Sequence, residues 1–459
     1  MTPTRRVSFG LLALDAVAVG VAFNVVSAIW LYRVGISSSS IVLPLLGPLA
    51  VLMIALYLID GYNARTDMMS LGYTSLHVIA LASAAVATLL MTFVVIPQGY
   101  ELQSSRAVIA LSFIVLAPVT LGYRRLIHRR AAARRGVRSL VFIGDDASGR
   151  EFQEECRRTG TVQPIVYAIA GAPARPGPAA SPSPSRPFDD VLDEIEAGRL
   201  PVEAIVLRES ARELRADISR KLVELYFRGV PTYTLELFHQ IYWRKIPLYR
   251  LNQIWLFQEG FQIAREPVFE RLKRATDILL SLVGLVLGSP FILLGGLAVW
   301  LQDRGPVFFA QTRVGRNHVS FRLYKLRSMR PSEGPGEPYT QPGDGRVTRV
   351  GRFLRATRLD ELPQLWNVLR GDMSLIGPRA EWDRLVERYE RDIPCYYFRH
   401  LVKPGITGWA QVNYPYGASA EDTARKLEYD LYYIRHFSFV LDASIVLKTI
   451  HLMLSGKGR

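Results

Sequence analysis

Five stretches of this sequence, residues 11–31, 41–59, 75–96, 107–123 and 278–300, are apolar over close to the ~20 residues that a helix needs to cross a bilayer. Nothing else in the chain limits its fold as much. In hydrocarbon every backbone polar group must be satisfied within the segment, so such stretches fold as helices. Read alone, the first could be a secretory signal, because Arg5 and Arg6 precede it. Four in series predict instead a four-helix transmembrane domain over residues 1–123. Basic residues set its orientation. Arg5 and Arg6 lie before the first span, and Arg124, Arg125, Arg129, Arg130, Arg134, Arg135 and Arg138 follow the fourth. The two outer loops hold only Arg33 and Arg106. By the positive-inside rule both ends are cytoplasmic, which an even number of spans allows.

Hydrophobic residues make up 49% of the 459, yet the formal net charge is +15. A membrane protein with a basic cytoplasmic part combines those two, since anionic lipid attracts Lys and Arg. Anionic substrates fit the charge as well. No nucleic-acid-binding motif accompanies it, so nucleic acid is set aside as a partner. The two cysteines, Cys156 and Cys395, are far apart, which argues against a disulfide framework or a Cys-based metal site.

Residues 124–240 read as a Rossmann-like α/β module. Residues 139–144 form a buried strand running into a turn, 145–159 a helix, and 165–169, 204–207 and 230–234 further strands, with a helix near 211–227. The turn Gly-Asp-Asp-Ala-Ser-Gly lacks the full G-x-G-x-x-G, which favours a structural or regulatory module over a nucleotide site. Residues 172–187, rich in Pro, Ala and Ser, are expected to be a disordered surface loop. Residues 241–268 form a linker in which Tyr242, Trp243, Arg244, Lys245, Trp255 and Phe257 suit either a membrane interface or packing on the next domain.

The charged chemistry gathers later in the chain. Asp360 and Glu361 stand side by side at the start of an apolar helix, 362–369, that Gly371 ends. Arg346, Arg349, Arg352, Arg355 and Arg358 precede them at three-residue spacing. Paired carboxylates in a cationic surround suit chemistry on a phosphate ester: a nucleophile or metal ligand, with charge to hold the anion. The competing reading is that Asp360 only caps the helix, alone or in a capping box with Thr357. Three-residue spacing drifts around a helix, so the five arginines cannot all face one phosphate, and Arg355 is nearest in phase to Asp360. Lys325 lies in a strand-like alternating run, and Arg379 follows Gly377-Pro378 in a turn that can aim a side chain. Residues 332–345 read as a mobile loop near the site. His400 and His436 read as structural, and no His-based metal spacing is present.

The fifth apolar stretch, 278–300, is long enough to span, but Ser289-Pro290 interrupts it. Proline removes a backbone donor and crowds the carbonyl four residues back, so a kink or break is expected there. Crossing would put residues 301–459 on the outer side, away from nucleotide-activated substrates. A helix–break–helix hairpin that enters and leaves by the cytoplasmic face avoids this. The Ser289 side chain is then a candidate partner for the backbone group that Pro290 frees.

From residue 269 onward the chain resembles the bacterial polyprenol-phosphate sugar-1-phosphate transferases, the monotopic phosphoglycosyl transferases. The stretches SLVGLVLGSP, GPVFFAQTRVGRN, FRLYKLRSM, RVTRVGRFLRATRLDELPQLWNVLRGDMSLIGPR and LVKPGITGWAQV carry the likeness. With four spans and an α/β module ahead, it is similar to the large form that initiates exopolysaccharide and O-antigen synthesis. The resemblance implies a membrane protein of α plus α/β class, with a re-entrant helix and a mostly helical cytoplasmic catalytic domain over 269–459. It implies transfer of a hexose-1-phosphate from a UDP-sugar to undecaprenyl phosphate, with release of UMP, at the bacterial inner membrane. It further implies that Asp360 is the nucleophile, that Glu361 binds Mg²⁺, that Lys325, Arg355 and Arg379 hold phosphates, and that the helix break falls on Ser289 and Pro290. One departure is Ala380, where the family often has proline, which predicts a less rigid loop. A homodimer is compatible with this form, and the sequence does not name the sugar.

Two other functions compete with this one. A membrane-anchored regulator would sense a nucleotide in the α/β module, and a glycosyltransferase would move the sugar without its phosphate.

Overall fold

The computed structural model describes residues 3–34, 43–63, 66, 68–96, 106–135, 138–161, 163–169, 186–208, 216–248, 267–330, 344–415, 417 and 419–455. The chain divides into two units, Arg130–Arg250 and the remainder, Met1–Arg129 with Leu251–Arg459.

The larger unit opens with α1 (Pro3–Val34), α2 (Leu46–Leu58, led in by a 3-10 turn), α3 (Leu71–Leu90, continued by a π-helical turn to Val95) and α4 (Arg106–Arg135). Their apolar residues divide between two jobs. Phe23, Leu52, Leu81, Ile109 and Leu116 pack inward, with Phe23 and Phe113 edge to face. Val17, Val21, Ile54, Val86 and Ile114 face outward, as lipid-facing positions do. Among the described residues four helices are long and apolar enough to cross a membrane: Phe9–Trp30, Gly72–Val95, Arg106–Arg130 and Pro267–Asp303. The expected second span is shorter in its described part, Leu43–Leu58.

Arg124, counted by sequence among the basic residues that follow the fourth span, turns inward. It is fully buried and pairs with Asp15 of α1 at 2.7 Å, while the Tyr62 hydroxyl donates to the same carboxylate at 2.6 Å. A buried charge needs such a partner, so Arg124 joins α1 to α4.

The smaller unit holds β1 (Ser139–Ile143), α5 (Asp146–Arg158), β2 (Ile165–Ile169), β3 (Arg186–Pro187), α6 (Phe188–Glu196), β4 (Val202–Leu207), α7 (Ala216–Phe227), β5 (Thr232–Thr234) and α8 (Leu235–Phe238). All five strands are parallel, in the order β3-β2-β1-β4-β5. Continuous burial of β1 is what a sheet covered on both faces requires. The low-complexity stretch lies outside the described residues except for Arg186 and Pro187, which form the edge strand. The described part of the aromatic–basic segment, residues 241–248, packs within the preceding α/β unit, where neither expectation placed it. Tyr242 stacks on Phe238, Trp243 meets Phe152 and Phe238, and Lys245 pairs with Glu155. Trp255 and Phe257 lie outside the described residues.

The larger unit resumes with α9 (Pro267–Asp303), β6 (Phe308–Val314), β7 (Ser320–Leu326), α10 (Arg349–Ala356), α11 (Gln364–Arg370), β8 (Ser374–Ile376), α12 (Asp383–Asp392), β9 (Gly405–Thr407), α13 (Trp409–Asn413), α14 (Ala420–Arg435) and α15 (Phe439–Leu454). Strands β6 and β7 form an antiparallel hairpin, and β8 and β9 a short parallel pair. In place of the expected helix–break–helix, α9 is helical throughout its 37 residues with Pro290 inside. Proline at 290 deprives the Val286 carbonyl of its helical donor. The Ser289 hydroxyl donates to that carbonyl at 2.9 Å, the compensation expected of Ser289, and it lets the helix continue.

Elements of the C-terminal part line α9 from end to end. Arg274 donates to the Val368 and Leu369 carbonyls, and Asp277 accepts from Ser374 and the Leu375 amide. Leu365 and Leu362 sit over Gly284 and Gly288, and Leu326 and Leu354 over Gly295. At the far end Asp303 pairs with Arg327. The glycines matter because a Cβ at Gly284 or Gly295 would lie 3.1 or 3.0 Å from the leucine above it. The last helix, α15, packs on α2 and α3. Its Ser444 donates to the Leu58 carbonyl at 2.7 Å, and Leu447 enters the four-helix core.

Candidate active site

Helix α10 begins at Thr348, whose hydroxyl accepts from the Gly351 amide at 2.9 Å. It ends at Thr357, and Arg358 then takes a left-handed conformation, φ 58°. That conformation is uncommon for a side-chain-bearing residue and costs of order 1 kcal/mol or more. It turns the chain into the 3-10 turn Leu359–Glu361, from which α11 departs and which Gly371, φ 99°, closes at the other end. The acidic pair therefore sits in a turn between two helices. Neither carboxylate caps α11, whose N-cap is Pro363 with no side-chain bond. Thr357 bonds back to Phe353 of α10 at 2.9 Å. The capping box does not form.

Asp360 is 6% exposed, and its Oδ1 has no hydrogen-bond partner among the described residues. Burial, then the neighbouring Glu361, pushes its carboxyl up to about 6, against the pull of Lys325, Arg355 and Arg358. Glu361 behaves oppositely. Burial would raise it, but Lys325, Arg379 and Arg358 outweigh burial and hold it below the usual carboxylate range. Its Oε1 lies 3.4 Å from Arg358 and 3.9 Å from Lys325. Burial, only partly offset by Glu361, draws Lys325 down to about 8.

Lys325 reaches the pair from β7. Strand alternation puts Leu323 and Lys325 on one face with Arg313 of β6, which is opposite Phe321. Asn367 of α11 fixes the distance between hairpin and turn. Fully buried, it accepts from the Tyr324 amide at 3.1 Å and donates to the Arg322 carbonyl at 2.7 Å. Arg313, Lys325, Gln364 and Arg379 line one small cavity beside the pair.

Arg379 is carried by a loop that does not need proline for its shape. Gly377 donates to Thr407, Pro378 accepts from Gly405, Arg379 accepts from Arg399, and Ala380 accepts from Arg313, all at 2.8–3.1 Å. Every residue from 377 to 380 is thus tied to another segment. Buried Arg399 is in turn held by Asp430 at 2.9 Å and by the Tyr396 hydroxyl at 2.6 Å.

The structure brings Asp360, Glu361 and Lys325 together, with Arg355 acting on Asp360 and Arg379 on Glu361 through their charge. Ser289 and Pro290 lie on α9 just beyond Gly288, which Leu362 covers. Of the other arginines in the row, Arg346 is held by Asp344 and Arg358 by Glu361. Sequence reasoning passed over Arg358 and missed Arg313 and Gln364. Three-residue spacing hid the part played by Arg358, because only its left-handed φ brings it back to Glu361. Arg313 was visible in principle as a residue of the neighbouring strand, opposite Phe321, which shares its face with Lys325. Of the expected mobile loop, 332–345, only Asp344 and Gly345 are described, so that expectation lies outside the described residues.

A family model described as bacterial sugar transferase matches residues 268–456. A UDP-N-acetylgalactosamine-undecaprenyl-phosphate N-acetylgalactosaminephosphotransferase of Aeromonas hydrophila is 40% identical over 269 residues, 58% of this chain and 63% of that protein. A UDP-glucose:undecaprenyl-phosphate glucose-1-phosphate transferase of Escherichia coli (strain K12) is 46% identical over 183 residues, 39% of each chain. One of the same description from Caulobacter vibrioides is 43% identical over 207 residues, 44% of this chain and 77% of that protein. The matches thus span less than two thirds of the first two relatives.

Proposed function

The chain belongs to the bacterial sugar transferase family, and from that premise we propose that it transfers a hexose-1-phosphate from a UDP-sugar to undecaprenyl phosphate, releasing UMP. The observation that carries this reading is the buried, unpartnered Asp360 oxygen beside Glu361 and Lys325. A carboxylate placed so has no structural bond to give up before it attacks phosphorus.

In the first step an Asp360 oxygen bonds to the phosphorus that bears the sugar, and the bond from that phosphorus to the UMP oxygen breaks. UMP leaves with the bonding pair. In the second, an oxygen of the lipid phosphate attacks the same phosphorus and the Asp360 carboxylate is released unchanged. Lys325, Arg355 and Arg379 hold the phosphate oxygens. Two adjacent carboxylates, one with a free oxygen and one kept ionised by nearby cations, fit the oxygen donors that Mg²⁺ takes alongside substrate phosphates. Glu361 would hold that ion, which supplies charge neutralisation to the transferring group.

Placement of the site supports an α9 that enters and leaves by the cytoplasmic face, bending at Pro290 rather than breaking there, and a cytoplasmic catalytic part at the inner membrane. Polar contacts to the C-terminal elements occur near both ends of α9, at Arg274 and at Asp303. A helix crossing the bilayer would have to carry those partners through hydrocarbon with it. Exposed Leu279, Val286, Leu287, Leu293 and Leu294 give the same helix an apolar face for lipid. The acidic turn packs on α9, so a lipid phosphate at the membrane surface is within the reach of Asp360.

The α/β unit supports a structural role better than a nucleotide site. Its strand order is that of a dinucleotide-binding fold without the sixth strand. At the start of α5, however, Asp145 accepts from the Ser148 amide at 2.8 Å and pairs with Arg208. The protein's own carboxylate takes the place of a phosphate there.

The test is the nucleotide released when membranes carrying the full chain receive undecaprenyl phosphate and a panel of UDP-sugars. UMP with a lipid-linked sugar phosphate is expected, and the productive UDP-sugar names the substrate. Release of UDP would identify a glycosyltransferase, and no release a regulator.

A further inference from the structure

A second group of ligand-type side chains meets where the β6–β7 turn approaches α12 and the 3-10 turn Tyr396–Leu401. His318 ends the hairpin turn, Glu390 lies on α12 and His400 on the 3-10 turn. One ligand atom from each lies within 4.8 Å of the others. His318 Nε2 is 2.6 Å from Glu390 Oε1, and the two imidazoles stand 4.8 Å apart. His400 is 5% exposed. Its ring hydrogen-bonds the Gly315 backbone, and its Nε2 has no partner among the described residues. A buried polar nitrogen left without a partner is costly, and nothing in the transfer reaction uses it.

We propose that His318, Glu390 and His400 bind a divalent transition-metal ion of the zinc class, at a site separate from the acidic pair. Two imidazoles and a carboxylate are a donor set that zinc accepts, with a fourth position left for water. Magnesium and calcium favour all-oxygen surroundings. A metal-bound imidazole commonly donates its other N–H to a backbone carbonyl or a carboxylate, and the Gly315 bond of His400 supplies that support. Nitrogens bound tetrahedrally to zinc stand about 3.3 Å apart. Side-chain rotation of the two exposed ligands, His318 and Glu390, closes the difference. The nearby guanidiniums do not leave uncompensated charge, since Arg316 pairs with Glu270 and Arg399 with Asp430. The ion would tie the turn of the hairpin that carries Arg313 and Lys325 to α12. Because the ligands come from three elements, no spacing in the sequence announces them.

The test uses the purified full-length chain in detergent, without a polyhistidine tag, stripped by chelator and titrated with Co²⁺ and then Zn²⁺. One Co²⁺ per chain with tetrahedral d–d absorption is expected, displaced by Zn²⁺, and Zn²⁺ but not Mg²⁺ raises the melting temperature. His318→Gly, which keeps the left-handed backbone of that turn accessible, and Glu390→Gln should each weaken binding more than about tenfold. Asp360→Asn should bind as the wild type does. Absence of stoichiometric binding, unchanged binding in both ligand variants, or its loss in Asp360→Asn would overturn the proposal.

Discussion

A carboxyl oxygen buried without a hydrogen-bond partner is costly to maintain, of order 1–3 kcal/mol, and Asp360 carries one. No hydrogen bond relieves it, since Lys325 and Arg358 lie against Glu361, and their charge offsets its burial only in part. The reading of Asp360 as nucleophile makes a residue-scale demand. Asp360→Asn, equal in shape but uncharged, should lower transfer by roughly 10³-fold or more while leaving the melting temperature near the wild-type value. Glu361→Gln should also lose activity, and the activity that remains should depend less steeply on Mg²⁺. Retention of near-normal turnover by Asp360→Asn would remove the nucleophile assignment. A different kind of loss is expected at Asn367. Asn367→Leu leaves the Tyr324 amide and the Arg322 carbonyl unpaired in the core, at a cost of about 2–4 kcal/mol, measurable as a lowered melting temperature. The acidic pair stood out in the sequence through its cationic surround, whereas Lys325 and Arg379 were singled out by the family resemblance. Asn367 and Arg399 were not legible, since what they do depends on partners 45 and 20 residues away.

Among the elements, α9 shows most plainly how a local defect is absorbed. Pro290 removes a donor, and Ser289 one residue earlier supplies another to the same Val286 carbonyl. A double substitution separates this from simple packing. Ser289→Ala should cost about 1 kcal/mol in the native background. In a Pro290→Ala background it should cost close to nothing, because the restored backbone N–H serves Val286. Thermal unfolding of the four variants in detergent gives the comparison, and an equal cost in both backgrounds would contradict the pairing. Proline chemistry predicted a break here, and the sequence alone could not show how far one hydroxyl compensates. The parallel strands were legible through their short apolar runs. The edge strand β3 was not, because it lies at the end of a stretch rich in Pro and Ser.

At the scale of the molecule, a re-entrant α9 puts residues 301–459 on the same side of the membrane as the end of α4. Single cysteines at Pro306 and Ala420, in a chain lacking Cys156 and Cys395, should resist an impermeant thiol reagent applied to intact cells. A cysteine at Leu43, at the start of the turn that leads into α2, should react. Labelling at 306 and 420 would mean that α9 crosses the bilayer. Hydropathy made the membrane character of the chain readable, but not the docking of α15 on α2 and α3, because an apolar helix at the far end of the sequence does not reveal its partner.

The most direct test of the two-step transfer omits the acceptor. Full-length protein, freed of lipid phosphate and given UDP-sugar labelled in the sugar, should retain about one label per chain and release an equal amount of UMP, as a covalent intermediate requires. Asp360→Asn should do neither. If wild-type protein takes no label and UMP appears only when undecaprenyl phosphate is added, the lipid phosphate attacks directly and Asp360 is not the nucleophile.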